Sequence, residues 1–276
     1  MPRSGPISMA LPPFAGATRQ LVLINLAVFF GFALFGWAAP QPIAFLMGHL
    51  LLVPAAVFRG EVWQLVTYAF AYPLMGILGT LFALLSLWFT GSYLEDIFGS
   101  RWVLEMYFFS SAAGALLASA ITFTHVFDLS QRLGTLGPWT PVFALLVAFG
   151  AIAGDQVIRL YFVIPIKAKY FVAIFILISL AVLLKGGDRF GALAQLSGGL
   201  MGYLYVKFAP RRGMAFGFSE RYFGLRNDYY RWKRRRAARK FEVYMRKQNR
   251  EVHFDKDGRY VDPDERRDPN DKRWMN

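Results

Sequence analysis

Six apolar segments of 15 to 22 residues, separated by short connections, constrain the fold of this chain most. Their lengths approach the roughly 20 residues that an α-helix needs to cross about 30 Å of hydrocarbon. An isolated strand cannot satisfy its backbone hydrogen bonds in lipid, so all six segments are predicted to be helices. The segments are 21–39, 69–89, 102–123, 138–154, 170–184 and 192–208.

The composition supports an all-α polytopic membrane protein. Hydrophobic residues make up 55% of the 276 residues, whereas soluble domains contain about 45–50% even with Gly included. The chain has no cysteine, which excludes disulfides and thiol catalysis. Its three histidines, His49, His125 and His253, are scattered without the spacing of metal ligands, so neither a metal site nor another cofactor is expected.

Basic residues between the segments predict the orientation of the bundle. Arg101, Arg159, Lys167 and Lys169 occupy alternate connections, and the stretch after the sixth segment holds 20 of the 31 Lys and Arg residues. Because basic residues collect on the cytoplasmic side, both termini are predicted to be cytosolic. The long, mostly apolar first connection is expected to lie in the membrane interface, where Trp63 and Tyr68 suit the depth.

Three regions follow from this pattern. Residues 1–18 are rich in Pro and Gly and are predicted to be a flexible cytosolic lead. Residues 19–208 form the six-helix membrane domain. Residues 209–276 form a basic cytosolic tail, predicted to be helical first and then disordered, because its last part alternates charge signs and has little to bury.

Several stretches together resemble the rhomboid family of intramembrane serine proteases. They are RGEVWQLVTYAF, LSLWFTGSYLEDIFGSRWVLEMYFFSSAAGALL, GPWTPVFALLVAF, PIKAKYF and QLSGGLMGYLY, and they occur in the family's order. The resemblance covers about residues 19–208 and implies a six-helix rhomboid-like bundle. In active members it implies a serine on the fourth span, a histidine base on the sixth, and an oxyanion asparagine and histidine on the second.

The residues at those four positions cannot carry out the family's chemistry. Alignment by the resemblance places Trp139 on the nucleophile, two residues after the motif glycine Gly137, and Gln195 on the general base. Ala83 and Gly79 fall on the oxyanion asparagine and its partner histidine. An indole cannot attack a carbonyl, and a carboxamide does not take up protons near neutral pH. No catalytic residue is therefore assigned.

The old catalytic position is interpreted as a client-binding recess. Its predicted members are Gly137, Trp139, Thr140, Gln195 and Ser197. Trp139 is expected to fill or line this recess, with its indole N–H within reach of Gln195. Two roles of Trp139 remain open: it binds a transmembrane segment, or it only fills a cavity that would otherwise hold water.

Small residues in the third and sixth segments predict close helix packing. Gly114, Gly198 and Gly202 have this role, because small residues let helix backbones approach each other in membranes.

The basic tail predicts a lipid-facing helix. Aromatic residues alternate there with a dense basic run, and such a segment suits the anionic headgroups of a bilayer. Binding of RNA or a ribosome is the weaker alternative, so nucleic acid is not an expected partner. The predicted lipid-facing basic residues are Arg231, Lys233, Arg234, Arg235, Arg236, Arg239 and Lys240.

These observations favour a rhomboid-like pseudoprotease that binds transmembrane segments of client or partner proteins without cleaving them. Two alternatives stay open: an active serine protease with a relocated nucleophile at Thr140 or Ser197, and a structural subunit of a membrane complex. The expected partners are the bilayer, its anionic headgroups and other transmembrane segments. The resemblance, with no recognisable targeting segment, places the protein in a bacterial inner (cytoplasmic) membrane.

Overall fold

The protein divides into two compact units, Met1–Met214 and Ala215–Asn276. A computed structural model describes residues 12–71, 77–160, 164–209, 214–248, 252–255 and 259–261. In the first unit the elements are α1 (Gly16–Ala38), α2 (Pro40–Leu50), α3 (Pro54–Val57), α4 (Gln64–Thr67), α5 (Ile77–Phe98), α6 (Ser100–Thr122), α7 (Trp139–Ile152), β1 (Val157–Leu160), β2 (Ile164–Lys167), α8 (Ala168–Lys185) and α9 (Arg189–Phe208).

The architecture confirms an all-α polytopic membrane protein. Each of the six predicted segments overlaps one helix of 14 to 23 residues, in the order α1, α5, α6, α7, α8 and α9. Four of these, α1, α5, α6 and α8, are long and apolar enough to cross a membrane. Helix α7 has only 14 residues, which gives it about 21 Å of length, less than the hydrocarbon thickness.

The short helix α7 forms the centre of the bundle. It packs against α5, α6, α8 and α9. Nine of its residues are buried: Thr140, Pro141, Val142, Phe143, Ala144, Leu145, Leu146, Ala148 and Phe149. A helix that is apolar all round is stable only when other helices or lipid surround it, so the neighbours of α7 fix its position.

The second helix lies later in the sequence than predicted. The expected span was 69–89, but α5 runs from Ile77 to Phe98. It is followed by Gly99, whose φ of +87° suits glycine and breaks the helical path before α6. The apolar pattern placed the helix too early because it also counted residues 69–71, which are part of the turns after α4.

A carboxylate on α5 caps the start of α1. Glu95 Oε1 accepts a hydrogen bond of 2.7 Å from Ala17 N, and Oε2 accepts one of 2.9 Å from Thr18 N. Ser100 Oγ also donates to Glu95. These amides are among the helix N–H groups that have no intrahelical partner. Consequently α1 begins at Gly16, inside the predicted flexible lead of residues 1–18.

The connection before α7 is fastened to the first connection. Leu52 and Thr135 exchange two backbone hydrogen bonds of 3.1 Å, and Ala55 N donates to Gln131 O over 3.0 Å. Thr135 Oγ1 lies 3.5 Å from Asp188, whose carboxylate caps α9 by accepting from Gly191 N. These contacts hold the segment that leads into α7 against its neighbours.

The strands of the first unit were not predicted from the sequence. β1 and β2 pair antiparallel between α7 and α8, with Val157 opposite Lys167 and Leu160 opposite Ile164. The stretch VIRLYFVIPI is rich in the β-branched and aromatic residues that favour strands. It was interpreted only as a charged connection, so this signal was missed.

The second unit contains α10 (Met214–Lys247), except for its first residue, and the antiparallel pair β3 (His253–Phe254) and β4 (Tyr260–Val261). The helix occupies the part of the tail that was predicted to be helical. The two short strands lie where disorder was expected, and aromatic contacts accompany them: Phe254 packs its ring against Phe241 and Tyr260, at 6.2 Å from each. Residues 262–276 lie outside the described residues.

Candidate functional site

The predicted nucleophile position lies at the first turn of α7. Trp139 is the first residue of this helix and is partly buried. Gly137, two residues earlier, is buried and has a φ of +109°, a conformation that L side chains rarely adopt. Its N–H donates a hydrogen bond of 2.9 Å to Tyr68 O. The turn that presents Trp139 is therefore held to the first connection through the backbone.

Three helices meet next to Trp139. A Cβ atom on Gly198 of α9 would lie 2.5 Å from Thr140 Cγ2 and 2.6 Å from Thr140 O. A Cβ atom on Gly114 of α6 would lie 2.7 Å from Gly198 Cα. One turn further along α9, a Cβ atom on Gly202 would lie 2.7 Å from Ala144 O. The three glycines thus allow α6, α7 and α9 to approach at backbone distance.

The residue at the predicted base position has another partner. Gln195 Oε1 accepts a hydrogen bond of 3.2 Å from Ser179 Oγ, which joins α9 to α8. Ser179, rather than Trp139, is the hydrogen-bond partner that the structure gives to Gln195. A carboxamide bonded in this way orients two helices and offers no site for proton uptake.

The two predicted oxyanion positions have different environments on α5. Ala83 is fully buried and carries no hydrogen-bond donor on its side chain. Gly79 is exposed, and a Cβ atom there would meet nothing within 4 Å. Neither position presents a side-chain donor to a developing negative charge, which such a site requires.

The structure places the two histidines of the first unit, His49 and His125, in the first connection and in the turn after α6. His49 Nδ1 lies 3.5 Å from Glu61 Oε2, and its ring packs 4.7 Å from that of Phe45. His125 is exposed in the turn after α6 with a φ of +57°. The hydroxyls of Thr140 and Ser197 are on buried residues, at 2% and 4% exposure. The structure assigns no histidine hydrogen bond to either hydroxyl within the residues it describes.

An open depression of about 580 Å³ lies at the other end of α7. It is lined by residues 150–156 and Lys169. Lys169 Nζ donates to Asp155 Oδ1 over 2.7 Å, and this hydrogen bond lowers the pKa of the Asp155 carboxyl. Exposed ion pairs of this kind contribute little to stability, and none of the predicted recess residues lines the depression.

Comparison with known families now adds to this geometry. The profile of the family described as "Eukaryotic integral membrane protein (DUF1751)" matches residues 22–227, from α1 into α10. The chain belongs to the DUF1751 family. Rhomboid-like protein 19 of Arabidopsis thaliana is 28% identical over 169 residues, which are 59% of this chain and 54% of that protein. The matched region therefore spans about half of the relative's length.

The two comparisons confirm that this DUF1751 protein is a rhomboid-like family member, as its motifs predicted. They also correct the predicted location. The matching family is described as eukaryotic, so the bacterial inner membrane is wrong, while integral membrane insertion is supported. The length and hydropathy of a segment indicate that it can cross a bilayer, but they do not indicate whether the membrane is bacterial or eukaryotic.

Buried polar residues that support the site of this rhomboid-like protein were not predicted from the sequence. Tyr68 was expected at the membrane interface, but it is fully buried and its hydroxyl donates to Ser111 O over 3.3 Å. The Thr140 side chain is a further hydrogen-bond partner of the Tyr68 phenol. Gln64, 1% exposed, accepts from Val53 N over 3.0 Å and donates to Glu61.

Replacing Tyr68 with phenylalanine tests this support. We expect Tyr68→Phe to lower the free energy of unfolding by about 1 kcal/mol, because it leaves the Ser111 carbonyl and the Thr140 hydroxyl without their buried partner. Thermal unfolding in detergent micelles measures the change. Tyr203→Phe is the matched control, since Tyr203 is 46% exposed on α9 and should change stability little. Equal effects of the two substitutions would contradict the role given to Tyr68.

Proposed function

We propose that this protein is a rhomboid-like pseudoprotease that binds transmembrane segments of client or partner proteins without cleaving them. The observation that carries the proposal is the pair of residues at the catalytic positions. The rhomboid resemblance aligns Trp139, which is partly exposed, with the nucleophile, and Gln195, whose side-chain carbonyl oxygen is bonded to Ser179, with the base. An indole provides a large apolar contact surface and one N–H donor, which suits binding and not hydrolysis.

The nearby hydroxyls support binding over a relocated protease site. A serine or threonine becomes a nucleophile only when a base takes its proton. Thr140 lies in the glycine junction and is bonded to Tyr68, and the one histidine on the first connection, His49, is beside Glu61. An attacking hydroxyl at Thr140 would also need space for the substrate carbonyl, where the backbones of α6 and α9 now lie.

In this proposal a client segment approaches Trp139 along the lipid-facing side of α8. Most of the apolar side chains of α8 are not buried, and Ile174, Leu177 and Ile178 are exposed. The Ser179–Gln195 hydrogen bond is a polar contact that joins α8 to α9. Because apolar contacts alone give helices little net attraction in lipid, a client helix that satisfies Gln195 can replace part of this contact. We place the client segment beside α8, within reach of Trp139.

Site-specific photo-crosslinking tests this function. A photo-reactive residue at position 139 is expected to capture transmembrane peptides of other proteins in intact cells, identified by mass spectrometry. The same residue at position 37 is the matched control, since Trp37 is 86% exposed on α1 and reports whatever is nearby in the membrane. Identical captured sets at the two positions, or capture of lipid and α9 alone at position 139, would contradict client binding.

A serine-directed activity probe distinguishes the protease alternative in the same preparation. The wild-type protein is expected to remain unlabelled. Labelling that disappears in Thr140→Val or Ser197→Ala would show a relocated nucleophile, and the pseudoprotease proposal would then be abandoned.

A further inference from the structure

One face of α10 is both basic and aromatic. At 3.6 residues per turn, ten exposed residues of this helix fall within an arc of about 140°. Six are basic and four are aromatic or apolar, and the two acids of this stretch, Asp228 and Glu242, lie outside the arc. The ten residues, called here the basic stripe, are Arg226, Tyr229, Trp232, Lys233, Arg236, Arg239, Lys240, Val243, Tyr244 and Lys247.

The opposite face of α10 is the less exposed one. Ala238 is 7% exposed, and Arg234, Glu242 and Met245 are of intermediate exposure. These four residues are spaced at i, i+4, i+8 and i+11, which places them on a single face centred opposite the basic stripe. Beside this face, the Phe241 ring contacts Phe254 of β3. The helix therefore has a defined orientation within its unit, with the basic stripe turned outward.

The three aromatic side chains and the valine of the basic stripe are exposed although they are largely apolar. Tyr229, Trp232, Val243 and Tyr244 are exposed by 57%, 55%, 59% and 57%. Trp232 stacks on Tyr229 with ring centroids 6.2 Å apart, and the Arg236 guanidinium lies 5.5 Å from the Trp232 ring. Aromatic rings next to Lys and Arg, whose stems are apolar and whose ends are charged, suit the boundary between headgroups and acyl chains.

Covalent connectivity favours a lipid surface over nucleic acid. Only residues 209–213 join the end of α9 to the start of α10, and five residues reach at most roughly 20 Å. Since α9 belongs to a membrane bundle, this short connection keeps the start of α10 near a bilayer surface at high effective concentration. The family match ends at residue 227, so the basic stripe lies almost entirely outside it.

We infer that the basic stripe of α10 docks on the anionic headgroups of the bilayer, with Trp232, Tyr229 and Tyr244 at the level of the headgroups. The attraction is electrostatic because the basic side chains of the stripe share a face of the helix that holds neither Asp228 nor Glu242. The apolar side chains then set the depth, as in other interfacial helices. This inference concerns the second unit and does not depend on client binding at Trp139.

The chain has no cysteine, so a single introduced cysteine carries a spin label at a known place. Full-length Val243→Cys protein, labelled and reconstituted into nanodiscs of phosphatidylcholine with or without phosphatidylserine, reports whether the basic stripe meets lipid. We expect phosphatidylserine to raise the accessibility of the label to oxygen, relative to a water-soluble nickel chelate, several-fold. A label at Arg231→Cys, exposed on the far side of the helix, should show no such rise.

Charge reversal at the centre of the basic stripe provides the decisive comparison. Combining Lys233→Glu, Arg236→Glu, Arg239→Glu and Lys240→Glu should lower the ratio of docked to undocked α10 by at least about tenfold in the anionic nanodiscs. Exchanging Lys and Arg at these four positions keeps the charge and should keep docking. Circular dichroism of both full-length variants checks that the helix is still formed.

Three outcomes would overturn the inference. A label at residue 243 that responds equally in neutral and anionic nanodiscs would remove the role of the headgroups. A label that responds to polyuridylate and not to phosphatidylserine would make the basic stripe a nucleic-acid surface. Docking that survives charge reversal would show that the basic residues do not hold the helix.

Discussion

Gly198→Ala is expected to lower the free energy of unfolding by about 2–3 kcal/mol, the upper part of the range for overpacking a closely packed core. The added Cβ atom would lie 2.5 Å from Thr140 Cγ2 and 2.6 Å from Thr140 O. The side chain has a rotamer to turn to, but the carbonyl belongs to the first turn of α7. Helices α7 and α9 must therefore move apart, and they lose contact along the whole glycine junction.

Gly79→Ala is the matched control for this substitution. Gly79 also lies in a membrane helix, but a Cβ atom there would meet nothing within 4 Å. Alanine should raise stability by roughly 0.5–1 kcal/mol, because glycine loses more backbone entropy when a helix forms. Unfolding of both variants in the same micelles measures the difference. Equal destabilisation would show that the junction tolerates a methyl group and that its close packing has been overstated.

Glu95→Gln is expected to lower the free energy of unfolding by about 2 kcal/mol. The carboxylate accepts from Ala17 N, Thr18 N and Ser100 Oγ, so it uses both oxygens. A carboxamide of the same shape turns one of these oxygens into an N–H₂ group, which faces a donor. Hydrogen bonds to charged acceptors contribute about 1.5–3 kcal/mol, and the start of α1 loses its cap with them.

Asp96→Asn is the control, because it removes the neighbouring charge on an exposed side chain. It should change stability by no more than about 0.5 kcal/mol. Hydrogen exchange of the amides of residues 17 and 18 provides a local measurement: they should exchange faster in Glu95→Gln and not in Asp96→Asn. Unchanged exchange in both variants would mean that Glu95 does not cap α1.

The glycines show which packing features can be predicted from local sequence patterns. Gly114, Gly198 and Gly202 can be predicted as packing residues from their spacing alone, since only small residues let membrane helices approach closely. The residues that these glycines contact cannot be predicted in this way. Gly198 lies against Thr140 and Gly202 lies against Ala144. These contacts depend on how α6, α7 and α9 are arranged in the bundle.

The predicted site around Trp139 and Gln195 depends on sequence and packing in the same way. The proposal that rhomboid chemistry is lost rests on the identities of Trp139 and Gln195, because side-chain chemistry is a property of the residue. What those residues do instead depends on their neighbours. Gln195 was expected near Trp139, but Ser179 on α8 is the group that reaches it.

The amino-acid sequence by itself determined that the chain crosses a membrane as helices and that it is rhomboid-like. Hydropathy, charge balance and residue identity are local quantities, and they can be read along the chain. The tertiary structure alone decided the polar contacts that fix the bundle. Glu95 caps a helix 78 residues away, and Tyr68 donates to a carbonyl 43 residues away. In an apolar interior each such group must find a partner, and packing decides which partner is within reach.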